Sequence, residues 1–324
     1  MPLNRADYTI ACICPLEIEQ APLVALLDEI HHDNPLPTSR SRTTYTLGRM
    51  GLHNIVIARM PDMGNNSAAV CGTQILNDFP CLRFSLLVGI GGGVPDPEKG
   101  IDIRLGDVVV SKPQGTLGGV VQFDRGKRTS SSPGGFERTG WLSRPPNVLL
   151  ATVKRLEALH YREGSRIPKI LGEMLRRYPG MQRGGYVYQG SENDRLFQCR
   201  YEHVGRGDCQ RCDPRETVRR DRRVNSAPVI HHGIIGSSNA VIKDGALRER
   251  LKKEVGIICV DMEGAGLMDS FPCLVIRGVS DYADSHKNDR WQPYAAAAAA
   301  AYAKELLALV PLLSQTAKSS SGWR

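Results

Sequence analysis

Residues 260–291 read VDMEGAGLMDSFPCLVIRGVSDYADSHKNDRW. An apolar run, Cys273-Leu274-Val275-Ile276, has the length and composition of a short buried strand. Two carboxylate pairs flank it, Asp261/Glu263 before and Asp281/Asp284 after. Open α/β sheets bind ligands outside the carboxyl ends of their strands, which is where Asp281 and Asp284 fall. An acid there can protonate a leaving group, and a second can accept hydrogen bonds from sugar hydroxyls. The same residues also suit a helix N-cap and a solvated turn, since Asp favours both, and spacing leaves the two readings open.

Outward from this stretch the chain alternates strand and helix patterns. Strands are expected at 8–14, 45–50, 54–60, 84–88, 107–111, 230–235 and 256–260, and helices at 17–29, 66–79, 148–160, 244–254 and 294–310. The pair 45–50 and 54–60 reads as a hairpin around Gly51-Leu52-His53, and the helix at 66 as capped near Asn65. The pattern predicts an α/β fold, a three-layer α/β/α arrangement with a mixed central β-sheet. Residues 125–147, rich in Gly, Ser, Pro and Arg, read as a loop. The alanine run 295–301 follows from helix propensity alone. One domain is expected over 1–313, with a loop insertion at about 180–228, and the polar tail 314–324 is expected to be disordered.

The chain has 324 residues, 41% of them hydrophobic, enough for one large core. No run of about 18 apolar residues occurs, so no membrane-spanning helix is expected, and the N-terminus lacks a secretory pattern. Nine scattered cysteines, most in apolar runs, fit a reducing cytoplasm or nucleus better than a disulfide framework. The net charge of +8 favours anionic ligands without choosing among them. Aromatic residues are only 6% and no nucleic-acid motif interleaves them with the basic residues, so a nucleic-acid partner is not expected.

Other constellations carry chemistry. Glu17 and Glu19 follow the first strand: a strand that continued would turn one inward, and a helix beginning at Pro15 would place both at its positive end. Gly89-Ile90-Gly91-Gly92-Gly93 after an apolar strand reads as a glycine-rich turn able to cradle an anion, without the ending of a P-loop. Cys199, His203, Cys209 and Cys212 have the ligand types of a structural zinc site, but not the common finger spacing, so zinc and a reduced cysteine cluster both stay open. Between Arg200 and Arg223 there are eight Arg against five acids, either a solvated loop or an anion-binding patch.

The Met262-Glu263-Gly-Ala segment and Ser280-Asp281-Tyr-Ala-Asp284 after a strand ending in Arg-Gly resemble the nucleoside phosphorylase and nucleosidase superfamily, most closely its fungal branch. The resemblance covers residues 7–312 and is weakest at about 125–150 and 160–225. It implies hydrolysis or phosphorolysis of a purine N-glycosidic bond, with no cofactor required. Asp281 is implied as the general acid and Glu19 as the group that activates water. Glu263 and Met262 would hold the sugar, with Gly91 and Gly92 against the ribose. Asn239, Val241 and Ile242 would wall the base together with Phe123. Phosphorylases of this superfamily show Ser where Ile90 stands, which favours water as nucleophile, although Arg49 or Arg59 could serve phosphate. Arg125, Lys127 and Arg128, and the run from Arg219 to Arg223, are candidates for a 5′-phosphate. Phosphorolysis, and a non-catalytic nucleotide-sensing or nucleic-acid-binding module, are the alternatives. The resemblance leaves a homo-oligomer open.

Overall fold

The computed structural model describes residues 3–32, 43–130, 136–205 and 207–312. The expected tail 314–324 lies outside them. Strand β1 (Ile10–Cys14) is buried at every position and pairs in parallel with β4 (His53–Arg59) on one side and β5 (Phe84–Gly93) on the other. A strand covered on both faces has no reason to alternate polar and apolar residues, which is why YTIACIC reads as a continuous apolar run. β3 (Thr44–Met50) and β4 form the expected antiparallel hairpin, and β2 (Glu29–Ile30) ends that edge.

The opposite half holds β6 (Val108–Ser111), β7 (Val120–Gln122), β10 (Ile230–Ser237), β11 (Ile257–Asp261) and β12 (Cys273–Asp281). β12 inserts between β5, with which it runs parallel, and β6, with which it runs antiparallel. β10 lies beyond β6 and pairs with β11. β11 then pairs back onto Gly92 and Gly93 of β5, so β5, β12, β6, β10 and β11 close into a ring.

Helices cover both faces of this mixed sheet. α1 (Glu17–Ala25), α3 (Asn147–Glu163), α4 (Ile167–Arg177) and α8 (Gln292–Leu307) share one core with Ile10, Cys12, Leu86, Leu274 and Ile276. α2 (Asn65–Asp78) and α7 (Gly264–Ser270) share the other with Ala11, Ile13, Leu87 and Val275. The alternation along β1, β5 and β12 sorts the two sets of side chains, and the three-layer α/β/α fold follows. α5 (Pro179–Arg183) and α6 (Gly245–Val255) complete the helices. Among the described residues no helix is long and apolar enough to cross a membrane.

Several expectations change. The segment Gly89–Gly93 is not a turn. It is the end of β5, paired with β12 and β11, and the Ile90 N–H goes to Glu19, so the segment forms no free anion nest. Residues 125–147 are not all loop: β8 (Gly126–Arg128) and β9 (Phe136–Arg138) pair as a small separate ribbon. α2 is not capped by its own Asn65; the Asn239 side-chain oxygen accepts from the Asn65 N–H at 2.9 Å. The alanines of α8 reflect packing as well as propensity. All seven are buried, and a Cβ on Gly278 of β12 would lie 1.9 Å from the Ala295 carbonyl, so helix backbone rests directly on strand backbone.

Among the described residues, the segment from 184 to 228 has little regular structure: three short 3-10 turns and one bridge, Phe197 to Thr217. Its arginines explain this in part. Arg220 pairs with Asp194 at 3.1 Å and donates to the Tyr282 hydroxyl at 2.8 Å, while Arg223 holds Asp107 at 2.5 Å. Those two guanidiniums are structural ties rather than a free anion patch.

Candidate active site

The carboxyl end of β1, the end of β5 and the ends of β11 and β12 converge on a cavity of about 240 Å³. Its lining includes Glu19, Ile90, Gly91, Gly92, Met262, Glu263 and Asp281, as well as Val241 and Ile242. That volume lies just below the roughly 300–1,000 Å³ of pockets for drug-sized ligands, and suits a small one. A larger cleft of about 920 Å³, lined by Arg104, Asp107, Asp194, Arg220 and Arg223, shares no residue with it. Three cations of that cleft are paired with neighbouring acids, Arg104 with Asp102, Arg220 with Asp194 and Arg223 with Asp107, while Arg195 binds the Glu192 and Cys209 carbonyls.

Glu19 follows the helical of its two sequence readings, and its side chain still reaches the cavity. It sits in the first turn of α1, where its Oε2 accepts from the N-cap Leu16 N–H at 2.8 Å. Its Oε1 accepts from the Ile90 N–H on β5 at 2.7 Å. The side chain is 2% exposed, whereas Glu17 faces solvent and lies 4.0 Å from Arg59. Gly89 makes the approach possible, because a Cβ there would lie 2.3 Å from Glu19 Oε1 and 2.7 Å from an Arg277 nitrogen. Burial drives the Glu19 carboxyl up to about 8; Arg277 opposes the rise and Glu263 adds to it.

Behind the cavity lies a buried charge cluster. Arg277, in the middle of β12 and fully buried, donates to Asp261 Oδ2 at 2.7 Å and to Glu263 Oε2 at 2.8 Å. Burial opposes its charge, but Asp261, Glu263 and Glu19 together hold the guanidinium above its ordinary pKa. Glu263 is also raised, first by burial and then by Asp261, against the pull of Arg277. Its Oε1 accepts from Gly64 N at 3.3 Å, and both Asp261 oxygens accept from Gly264 N. Gly64 and Gly264 begin α2 and α7, so the positive ends of two helices face these acids. The two carboxyl groups of Asp261 and Glu263 against one guanidinium favour positive charge in the cavity, which is what an oxocarbenium-like sugar would bring.

Asp281 ends β12 at an irregularity between Val279 and Asp281, where the register to β5 slips by one residue. Its Oδ1 accepts from Ala283 N at 2.9 Å; its Oδ2 accepts from the Ser280 hydroxyl at 2.8 Å and from Lys287 Nζ at 2.5 Å. Asp284 points elsewhere, to Arg248 at 3.1 Å, and ties down the loop after β12.

Other candidates stand apart from the cavity. Asn239 does not line it and instead caps α2. Phe123 packs against Gly236 on β10, and Arg125 and Lys127 belong to the β8–β9 ribbon region, with Arg125 lining a different depression beside Trp141. Arg49 pairs with Glu29, and neither Arg49 nor Arg59 reaches the cavity. His203, Cys209 and Cys212 come together, whereas Cys199 does not join them, since its backbone packs against Gly245. Sequence reasoning missed Arg277 and Lys287. Both lie in the stretch 260–291, and an arginine inside an otherwise apolar strand was the available signal.

A scan against protein-family models matched none. The chain is 42% identical over 95% of its length to a nucleotide-binding leucine-rich repeat (NLR)-like protein of Hyaloscypha variabilis, of which it spans 30%. It is 36% identical over 22% of its length to the ATP nucleosidase Cap17 of Escherichia coli, spanning 15% of that protein. It is 26% identical over 94% of its length to a 5′-methylthioadenosine/S-adenosylhomocysteine nucleosidase of Mycobacterium bovis, covering 98% of it. The fold matches the nucleosidase of that name from Helicobacter pylori with a TM-score of 0.61 at 16% identity, covering 93% of this chain and 98% of the other. A ring-closed mixed sheet, acids at the ends of β1, β11 and β12, and two nucleosidase matches along nearly the whole chain agree in one fold: the chain has the fold of the nucleosidases and is similar to the nucleoside phosphorylase/nucleosidase superfamily.

Proposed function

We propose that the chain hydrolyses the N-glycosidic bond of a purine nucleoside of the adenosine type, with water as nucleophile. The observation that carries this reading is that Glu19, Glu263 and Asp281 line one small cavity together with Met262. A water oxygen forms the new bond to C1′ and gives its proton to Glu19. The C1′–N9 bond breaks with its electron pair passing to the base, which takes a proton from Asp281. Glu263 accepts hydrogen bonds from the 2′ and 3′ hydroxyls, and the negative balance of the Asp261–Glu263–Arg277 cluster favours the cationic sugar between the two events.

Phosphorolysis is less well supported. Ile90 offers no hydroxyl to phosphate, Arg277 is committed to two carboxylates, and Lys287 is committed to Asp281. The same shortage of free cations among the described lining residues favours a nucleoside over a 5′-nucleotide. The test is product analysis of adenosine, inosine and ATP with and without phosphate. Free adenine and ribose from adenosine, at a rate indifferent to phosphate, are expected. Ribose 1-phosphate formed only when phosphate is added would overturn the hydrolytic reading, and faster cleavage of ATP than of adenosine would overturn the nucleoside preference.

The sugar role of Glu263 has its own test. Glu263→Gln keeps the side-chain size but exchanges an acceptor for a donor towards the hydroxyls. The preference in kcat/KM for adenosine over 2′-deoxyadenosine is expected to shrink, and an unchanged ratio would refute the assignment.

A further inference from the structure

We propose that His203, Cys209 and Cys212, with His286 as fourth donor, form a structural zinc site that ties the segment 199–213 to the loop following Asp281. One ligand atom from each of the first three lies within 4.8 Å of the others. Two sulfurs and an imidazole are the donor types that select zinc over the hard cations. The His203 Nε2 lies 3.2 Å from the Asp208 carbonyl. A carbonyl only accepts, so Nε2 carries the proton and Nδ1 keeps the lone pair a metal needs. Imidazole ligands are commonly oriented in this way by a backbone carbonyl.

His286 is the independent observation. It is only 7% exposed, its ring stacks on Phe197 at 4.0 Å, and it meets the His203 ring edge-on at 5.5 Å. Its Nδ1 lies 3.4 Å from Asp284 Oδ1, an ion-pair distance, and neither ring nitrogen makes a hydrogen bond. A buried imidazole nitrogen without a partner is costly and calls for one. Carboxylate on one nitrogen and metal on the other is a recurring arrangement, and the ring lies beside the three-residue cluster, edge-on to His203. Asp284 is in turn held by Arg248.

The two segments already touch. The His203 N–H donates to Ser285 Oγ at 3.0 Å, and Cys209 Sγ lies 4.0 Å from the His286 carbonyl. Cys209, Asp281, Asp284 and His286 also share a cavity of about 190 Å³. Binding converts two thiols to thiolates, releases two protons and leaves the zinc charge balanced. The metal would supply the fixed point that this poorly regular segment lacks, and would hold the loop that presents Lys287 to Asp281.

The test uses the full chain purified without chelator under reducing conditions. Elemental analysis is expected to find about one zinc per chain, as a structural site requires. Cobalt added to the chelator-stripped protein is expected to show tetrahedral ligand-field bands with thiolate charge transfer. His286→Ala should alter the ligand-field bands and keep the charge transfer, Cys212→Ser should weaken the charge transfer, and Asp284→Asn should lower zinc affinity by about 10–100-fold. Should Cys212→Ser fail to fold, the Asp284→Asn affinity and the wild-type cobalt spectrum still decide. A folded protein that retains no zinc and gives cobalt no thiolate bands would overturn the proposal, as would a Cys209–Cys212 disulfide found in the reduced preparation.

Discussion

Asp281→Asn is expected to slow purine release by about 10²–10⁴-fold, the usual contribution of a general acid, while the protein stays folded. The asparagine keeps the acceptor for the Ala283 N–H but has no proton to transfer. It also leaves Lys287 and the Ser280 hydroxyl with a poorer partner, so a modest fall in Tm is expected. Leaving-group chemistry separates the two effects. A nitrophenyl riboside, whose leaving group needs no proton, should be cleaved by the variant nearly as well as by the parent protein. Loss of both activities in equal measure would point to a damaged site, and retention of near wild-type turnover on adenosine would remove Asp281 from the mechanism.

The second large effect concerns Glu19. As the base that receives the proton of water it must be ionised, yet burial holds its carboxyl up to about 8. In the free enzyme, kcat/KM is therefore expected to rise with pH through that value. Glu19→Gln should lose about 10²–10⁴-fold and should lose this pH dependence with it. Stability moves the opposite way. The native state keeps a proton that the unfolded chain releases above the ordinary value of 4.5, so stability is greatest below that value and declines as pH rises towards about 8. Glu19→Gln cannot titrate and should flatten that decline in Tm. A wild-type kcat/KM that is flat or falling with pH across this window would exclude Glu19 as the base.

The stretch 260–291 carried most of what could be read in advance. An apolar run between acids gave β12 with Asp281 at its end, and the strand-helix alternation gave the layers. Glu19 was legible as an acid after the first strand, while its double duty as helix cap and cavity wall depends on Ile90 and Gly89, which are distant in sequence. The glycine run misled because glycines mark both turns and places where a backbone must come close. Here they make room for Glu19, Cys259 and Asp281 within a strand. Arg277 stood out as an arginine in an apolar strand, but its role was not legible because its partners come from β11 and the start of α7. α4 was legible and overlooked: Ile167, Ile170, Leu171 and Met174 have helical spacing and are buried. Arg220 and Arg223 read as a basic run because charge counts do not reveal that Asp194 and Asp107 lie opposite.

β12 bears on how the molecule is assembled. It is the last strand along the described chain, yet it sits in the middle of the sheet between two strands that precede it by more than 150 residues. Until it arrives, β5 and β6 have no partner across the gap and present open edges of Leu86, Leu87, Val108 and Val109. Such edges invite pairing with other chains. Closing so long a loop also makes this a slow step. Folding and the completion of the site are then the same event: no intermediate lacking β12 can hold Arg277 beside Glu263 or carry Asp281 to the cavity. Catalytic competence would serve as a direct readout of the final step of folding.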